Sequence, residues 1–426
     1  MNIGLIGLGT VGGSTAQVLL KKSASLRRSA GGNLKLLYAC DQRHALAKQL
    51  GIPAKQYVND AQKVLNDPQV DVVVELIGGM HPAKEFVLQA LKNGKHVVTA
   101  NKALLAEHGT ELLKAASRAN KRLLFEAAVG GGIPIVEGLG QGLAANQLSA
   151  LYAIINGTCN YVLTLMEEQG STMQDALALA QKKGFAEANP ALDIDGIDSA
   201  HKLSLMCLVG FGRQAKMKEM HIEGISKLSP VDMELAQSLG YGIKLLAIAK
   251  RVGEELEARV HPTLLPLDHP LVSVRGVYNA VFVQGDLVGN QLFYGKGAGG
   301  NPTASAVVSD ILQLARAPQA LPPNPIDLSD GSIQRIRKMA DVRSRYYMRF
   351  SVTDRPGVLA QIARHLGSQE ISISSVIQPE RTSSRAVPVV IMTHEAAERQ
   401  VQTALKRINA LEAVKRGTVL LRVEEG

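Results

Sequence analysis

A short apolar run over residues 1–6 breaks directly into Gly7-Leu8-Gly9-Thr10-Val11-Gly12-Gly13, and a helix is predicted over 14–20. The alternation continues. Apolar runs at 34–41, 70–77, 96–99 and 122–126 read as strands, and 81–93 reads as a helix. Glycines close two of these strands, at Gly78-Gly79 and at Gly130-Gly131-Gly132. Strand followed by helix, repeated, predicts an α/β doubly wound parallel sheet. Beyond it the pattern changes to a strand at 147–155, a turn over 156–160, helices at 161–169 and 173–183, a loop over 184–196 and a helix at 197–209. Alternating apolar residues over 260–293 predict antiparallel strands closing a second sheet, in an α+β unit. Gly295 to Gly300 then opens a helix over 303–317 that is expected to return to the first unit.

Four prolines in residues 318–325 have linker composition. After them come a strand at 346–352, helix 358–367, strands 371–377 and 386–393, helix 396–410 and strand 417–423. That order, βαββαβ, predicts a ferredoxin-like third unit. The expected division is therefore 1–135 with about 300–320, then 136–299, a linker at 321–345, and 346–426.

The first turn carries the most specific signal. Gly7 suits a sharp turn out of the strand, Gly9 lets backbone approach a pyrophosphate, and Gly12 lets the next helix pack closely. The N-terminus of that helix then faces the phosphates. This is a Rossmann-type dinucleotide fingerprint. At the end of the second strand Cys40 is followed by Asp41, whose carboxylate can accept from a ribose 2′-hydroxyl and would repel a 2′-phosphate. Arg43 pulls the other way, so the cofactor is NAD or NADP, with NAD favoured.

Composition narrows the class. Hydrophobic residues are 46% and charged residues 20% of 426, enough apolar surface for two or three domains, and no apolar run is long enough to span a bilayer. Three widely spaced cysteines, Cys40, Cys159 and Cys207, argue for a reduced, cytoplasmic setting, and the glycine-broken N-terminal stretch is not expected to act as a secretory signal. The net charge of +9 is spread along the chain, and there is no Trp, so neither nucleic acid nor membrane is an expected partner.

Candidate chemistry concentrates in Gly184 to Lys202, where acids face one lysine. Asp198 and Lys202 lie four apart on a predicted helix, with Leu203, Leu205 and Met206 facing inward. Lys202 could donate a proton to a carbonyl while the acids hold an ammonium; an ordinary surface ion pair fits the spacing equally well. Thr99-Ala100-Asn101-Lys102 follows a strand at the carboxyl edge of the sheet, which makes Lys102 a second candidate, or merely a lysine starting a helix. Glu126 could share a hard cation with the carbonyls of Val129, Gly131 and Ile133, or the glycines could form a hinge. Cys159 could attack an aldehyde, but no base is nearby and packing is the simpler role. His81 before Pro82 reads as structural.

Together these segments resemble homoserine dehydrogenase over essentially the whole chain. The glycine fingerprint, Thr-Ala-Asn-Lys at 99–102, Glu-Ala-Ala-Val-Gly-Gly-Gly-Ile-Pro at 126–134, Asn-Gly-Thr-Cys-Asn at 156–160, the Gly-Phe-Ala-Glu loop from 184 and Asp198 to Lys202 occur in the family order. Asp354-Arg355-Pro356-Gly357-Val358-Leu359 resembles the opening of an ACT domain, an amino-acid-binding module. The resemblance implies interconversion of L-aspartate 4-semialdehyde and L-homoserine, with Lys202 as proton donor and Lys102 beside substrate and nicotinamide. It implies substrate contacts from Thr158, Gly184, Glu187, Asp193 and Asp198, and cofactor contacts from Gly7, Gly9, Thr10, Val11, Gly12, Asp41, Gly78, Thr99, Asn101, Lys102 and Gly299. Glu126, Val129, Gly131 and Ile133 would hold a structural Na+. A homodimer or homotetramer regulated by L-threonine is also implied. The alternatives are a thiol-dependent semialdehyde dehydrogenase using Cys159 and a non-catalytic amino-acid sensor.

Overall fold

The computed structural model describes residues 1–316, 332–378 and 386–425. The chain divides into two compact units, one of Met1–Ile155, Ala200–Lys218 and Tyr278–Gln334, the other of Asn156–Ser199, Glu219–Val277 and Arg335–Gly426.

The first unit holds the expected parallel sheet. Its six strands run in the order Tyr57–Val58, Lys35–Cys40, Asn2–Ile6, Val72–Glu75, His96–Thr99 and Leu123–Leu124. Asn2–Ile6 is central, with Leu5 paired to Ala39 on one side and to Val74 on the other. Both faces are covered, so its residues 3–6 are all buried and the strand reads as an unbroken apolar run. Helix Thr10–Lys21 begins earlier than expected, directly at the glycine turn. The last strand is only Leu123–Leu124, because the chain turns at Glu126 into a short 3-10 helix through Ala128. Helix Gly300–Arg316 does return to this unit: Arg316 Nε donates to Ser29 O at 2.8 Å, and a Cβ on Gly300 would lie 2.5 Å from Ser14 Oγ. Ala317 and the proline-rich stretch 318–325 lie outside the described residues. Three antiparallel strands, Leu148–Ile154, Tyr278–Gly285 and Gly289–Lys296, complete the unit's sheets.

The second unit contains a sheet in the order Tyr241–Val252, Glu255–Pro266, Val414–Val423, Arg343–Val352, Val387–Thr393 and Ile373–Ile377. Its final four strands, with helices Val358–Gly367 and Glu398–Ile408, form the expected βαββαβ unit around Tyr346, Phe350, Ile362 and Val401. Several features differ from expectation. The long hairpin starts at Tyr241, well before 260, and Val414–Val423 pairs in parallel with Glu255–Pro266 through Thr263 with Arg422 and Leu264 with Val423. Residues 157–160, expected as a turn, form the first turn of helix Gly157–Gln169, because Asn156 Oδ1 accepts the Cys159 amide and caps it. The loop 184–196 contains one short helix, Ala191–Ile194.

Candidate functional site

In the first unit the glycine turn has the sterics its sequence requires. Gly7 adopts φ +98°, and a Cβ there would lie 2.7 Å from Leu76 O. At Gly12 a Cβ would come within 1.9 Å of Gly7 O, so the helix can approach the strand only without one. Gly9 differs: nothing lies within 4 Å of its missing Cβ, which leaves backbone open to a ligand at the N-terminus of helix Thr10–Lys21. A cavity of about 640 Å³ adjoins it, lined among others by Gly7, Gly9, Asp41, Arg43 and Pro82.

Asp41 closes the second strand. Its Oδ2 accepts the Leu8 amide at 2.8 Å, tying it to the turn, and its carboxylate is gripped by Arg43 at 2.9 and 3.0 Å. The Arg43 guanidinium holds the Asp41 carboxyl down to about 2. It therefore faces the cavity as a full anion.

Glu75 is a residue that sequence reasoning missed. Fully buried at the end of its strand, it accepts from the amides of Ile77 and Gly78 and from Thr99 Oγ at 2.6 Å. Thr99 Oγ in turn accepts the Asn101 amide, and Asn101 Nδ2 donates to Gly79 O at 2.6 Å while its Oδ1 caps helix Lys102–Arg118. Gly78 and Gly79, both at positive φ, and Lys102, the first residue of that helix, are thus fixed through one buried carboxylate. A carboxylate ending an apolar strand just before two glycines was the available signal. His81 is exposed and bonds Glu85 at 2.6 Å, in keeping with a structural role.

Glu126 is buried, and its two oxygens accept the amides of Val136 and Glu137 at 2.9 and 2.7 Å. Its own amide donates to Asp310, likewise buried. Desolvation raises Glu126 to about 7 and pushes Asp310 well above its ordinary range, and no basic side chain pairs with either among the described residues. Gly131 lies so close to Gly297 O, 2.4 Å from a Cβ, that no larger residue fits. The carbonyls of Val129, Gly131 and Ile133 belong to the same turn, with Ile133 O already accepting Ile135 N. Gly299 has φ +117°, just before the helix that carries Asp310.

Lys202 is buried, and Nζ donates to Ile155 O at 2.7 Å. Leu203, Leu205 and Met206, expected to face inward, are buried as well.

The second unit carries the acids. Asn156 Nδ2 donates to Asp193 at 2.7 Å and to Asp198 at 2.9 Å, so one amide gathers both carboxylates while its oxygen caps a helix. The motif containing Asn156 was conspicuous in the sequence; its role as the clamp was not. Thr158 Oγ donates to Phe185 O at 2.7 Å and anchors the Gly184 to Glu187 loop. Gly184, at φ +73°, and Glu187 are exposed on that loop, outside the Asn156 clamp. Cys159 is fully buried, and its thiol donates to Asp193 O at 3.1 Å. Burial and this contact are what a packing role requires.

Among the described residues no helix is long and apolar enough to cross a membrane. The homoserine dehydrogenase family model matches residues 134–312, the homoserine dehydrogenase NAD-binding domain 7–126, and the ACT domain 346–413. A homoserine dehydrogenase of Neisseria gonorrhoeae is 43% identical, covering 100% of this chain and 98% of that protein. The crystal structure of a homoserine dehydrogenase from Thiobacillus denitrificans superposes with a TM-score of 0.93 at 43% identity, covering 100% of this chain and 98% of that one. A hyperthermophilic archaeal homoserine dehydrogenase mutant in complex with NADPH matches at a TM-score of 0.63 and 28% identity, over 73% of this chain and 96% of that one.

Proposed function

The chain belongs to the homoserine dehydrogenase family, and from that premise we propose how its residues divide the work of interconverting L-aspartate 4-semialdehyde and L-homoserine. The bound nicotinamide cofactor, NAD or NADP, supplies or takes the hydride. The rest falls to the chain. Lys202 gives a proton to the aldehyde oxygen in reduction and takes it back in oxidation. Asp193 and Asp198, with Glu187, receive the substrate ammonium, while Thr158 and Gly184 shape the loop around it. The observation that carries this reading is the Asn156 amide holding Asp193 and Asp198 together, on the residue that follows Ile155, whose carbonyl orients Lys202. Product analysis with aspartate semialdehyde tests it. L-homoserine is expected; aspartate or an acyl product would support the thiol route, and no turnover would leave a sensor.

Gly7, Gly9, Thr10, Val11 and Gly12 hold the phosphates, with Gly78, Thr99, Asn101, Lys102 and Gly299 toward the nicotinamide. NAD is the preferred cofactor, because Asp41 is fully charged where a ribose 2′-hydroxyl donates. Arg43, with 65% of its side chain exposed, supports the NADP reading. A structural Na+ at Glu126, Val129, Gly131 and Ile133 fits two buried carboxylates that lack a basic partner among the described residues. The proposed domain division is 1–135 with about 300–320, then 136–299, a linker at 321–345, and 346–426. The third domain takes L-threonine at the turn over 354–357, in a cytoplasmic homodimer or homotetramer.

A further inference from the structure

Residues 223–225 join the C-terminal strand to the acid loop within the second unit. Strand His221–Ile222 pairs in parallel with Glu255–Pro266, and the Glu223 amide donates to Val260 O at 2.8 Å. The next residue, Gly224, lies flat against Ile194: a Cβ there would be 2.0 Å from Ile194 O and 2.6 Å from Asp195 Cα. Ile225 N donates to the same Ile194 O at 2.9 Å. From the other side, a Cβ on Gly196 would be 3.2 Å from Val260 Cγ1 and 3.4 Å from Ile222 Cγ2. Backbone thus touches backbone on the Gly224 side of Ile194–Asp195, with no flexible side chain between to absorb a shift, while the branched side chains of Val260 and Ile222 pack against the Gly196 side.

The Glu223 side chain is held from the third domain. Arg422, in strand Val414–Val423 and 1% exposed, forks onto Glu398 through Nε at 3.0 Å and Nη2 at 2.6 Å. Its remaining arm, Nη1, donates to Glu223 Oε2 at 3.1 Å. His221 Nε2 at 3.7 Å and Lys227 Nζ at 3.4 Å also approach Glu223, the latter from solvent. A charge-assisted bond from a buried, already anchored guanidinium is the strongest of the three.

We propose that Glu223, clamped by Arg422, is a positioning residue for the amino-acid substrate: through Gly224 it fixes the Ile194–Asp195 backbone and with it the Asp193 carboxylate. This rests on the reading that Asp193 receives the substrate. The C-terminal strand thereby sets affinity for the amino acid without touching it, since a misplacement of the order of an ångström in a positioning group costs up to about a hundredfold.

Steady-state kinetics of the full-length enzyme test this with Glu223→Ala, Glu223→Gln, Gly224→Ala, Lys227→Gln and Asp193→Asn, each checked for a cooperative thermal transition. Glu223→Ala and Gly224→Ala are expected to raise KM for L-homoserine roughly 5- to 20-fold, with kcat and the cofactor KM within about 2-fold. Glu223→Gln, which can still accept from Arg422, should recover most of the loss, and Lys227→Gln should match the parent. In an Asp193→Asn background Glu223→Ala should add less than about 2-fold, because it acts through that carboxylate. Should Gly224→Ala not fold, the Glu223 pair decides alone. An elevated KM in Asp193→Asn beside unchanged values in the Glu223 variants overturns the proposal and spares the substrate reading. Full additivity with Asp193→Asn, or a cofactor KM that rises in parallel, also overturns it. An unchanged KM in Asp193→Asn overturns the substrate reading itself.

Discussion

Lys202 Nζ and Ile155 O are joined by a 2.7 Å hydrogen bond that aims a buried ammonium at the end of a strand. The carbonyl fixes the direction of the side chain, as the proposed proton donor requires. Lys202→Ala is expected to lower kcat roughly 10²- to 10⁴-fold. The dissociation constant for the cofactor, measured by fluorescence titration, should hardly change, because the fingerprint glycines are untouched. A variant that keeps most of its kcat removes Lys202 from the role.

Cofactor choice turns on Asp41. Asp41→Ala combined with Cys40→Arg removes the carboxylate that repels a 2′-phosphate, releases Arg43 and adds a second guanidinium. The ratio of kcat/KM for NADP over NAD should rise by about tenfold or more. Equal ratios in parent and variant would show that selection is made elsewhere.

Sodium and pH should be linked at Glu126. Its carboxyl, raised to about 7, holds a proton more tightly in the folded than in the unfolded chain, so stability falls as pH rises from about 4.5 to 7. A cation bound there would restore stability only once the proton has left. In sodium-free buffer Tm should drop between pH 5.5 and 8; NaCl should raise it at pH 8 but hardly at 5.5, with choline chloride as the ionic-strength control. Sodium stabilisation of equal size at both pH values would place the ion away from Glu126.

Cys159→Ser is expected to keep kcat within about threefold, since a hydroxyl can replace the thiol as donor to Asp193 O. Loss of activity together with a trapped thiohemiacetal on the parent enzyme would restore the covalent route.

L-Threonine should inhibit the full-length enzyme, and Asp354→Ala, in the turn before helix Val358–Gly367, should weaken that inhibition roughly tenfold with basal kcat unchanged. Inhibition competitive with L-homoserine and insensitive to Asp354→Ala would locate threonine in the active site instead.

The sequence was most legible where a local steric demand admits one residue. Gly7 and Gly12 could be assigned from spacing because a Cβ collides with backbone at both, and Gly9 because room for a ligand is a property of the same turn. Helix Val358–Gly367 was legible residue for residue. Strand Tyr241–Val252 escaped because residues 242–249 are buried on both faces, so alternation vanishes, and the buried Lys244 interrupts what remains. Helix Pro230–Ser238 had its signal in Ser229-Pro230 followed by Asp232, where the Asp232 carboxylate accepts from the Ser229 amide at 2.9 Å. Asn156 and Glu75 were visible as residues and invisible as hubs. Asp193 and Asp198, both held by Asn156, are brought to it only by the folded chain, and no local period encodes that.

The parallel pairing of Leu264 with Val423 bears on how the molecule is made. A strand whose neighbour is the last strand of the βαββαβ segment cannot be completed while that segment is still being synthesised. The contact is of very high order, and such contacts form slowly and late. Until then Glu255–Pro266 is unpaired on that side at Thr263 and Leu264, and Arg259, fully buried at the end, lacks its Glu424 partner. The Rossmann-type sheet has its own dense set of nearer contacts and can form first. The nascent protein is therefore expected to pass through a stage with a finished nucleotide half and a sticky substrate half, the stage at which chaperones would engage it and at which destabilising changes in Val414–Val423 would lower soluble yield before they altered any rate constant.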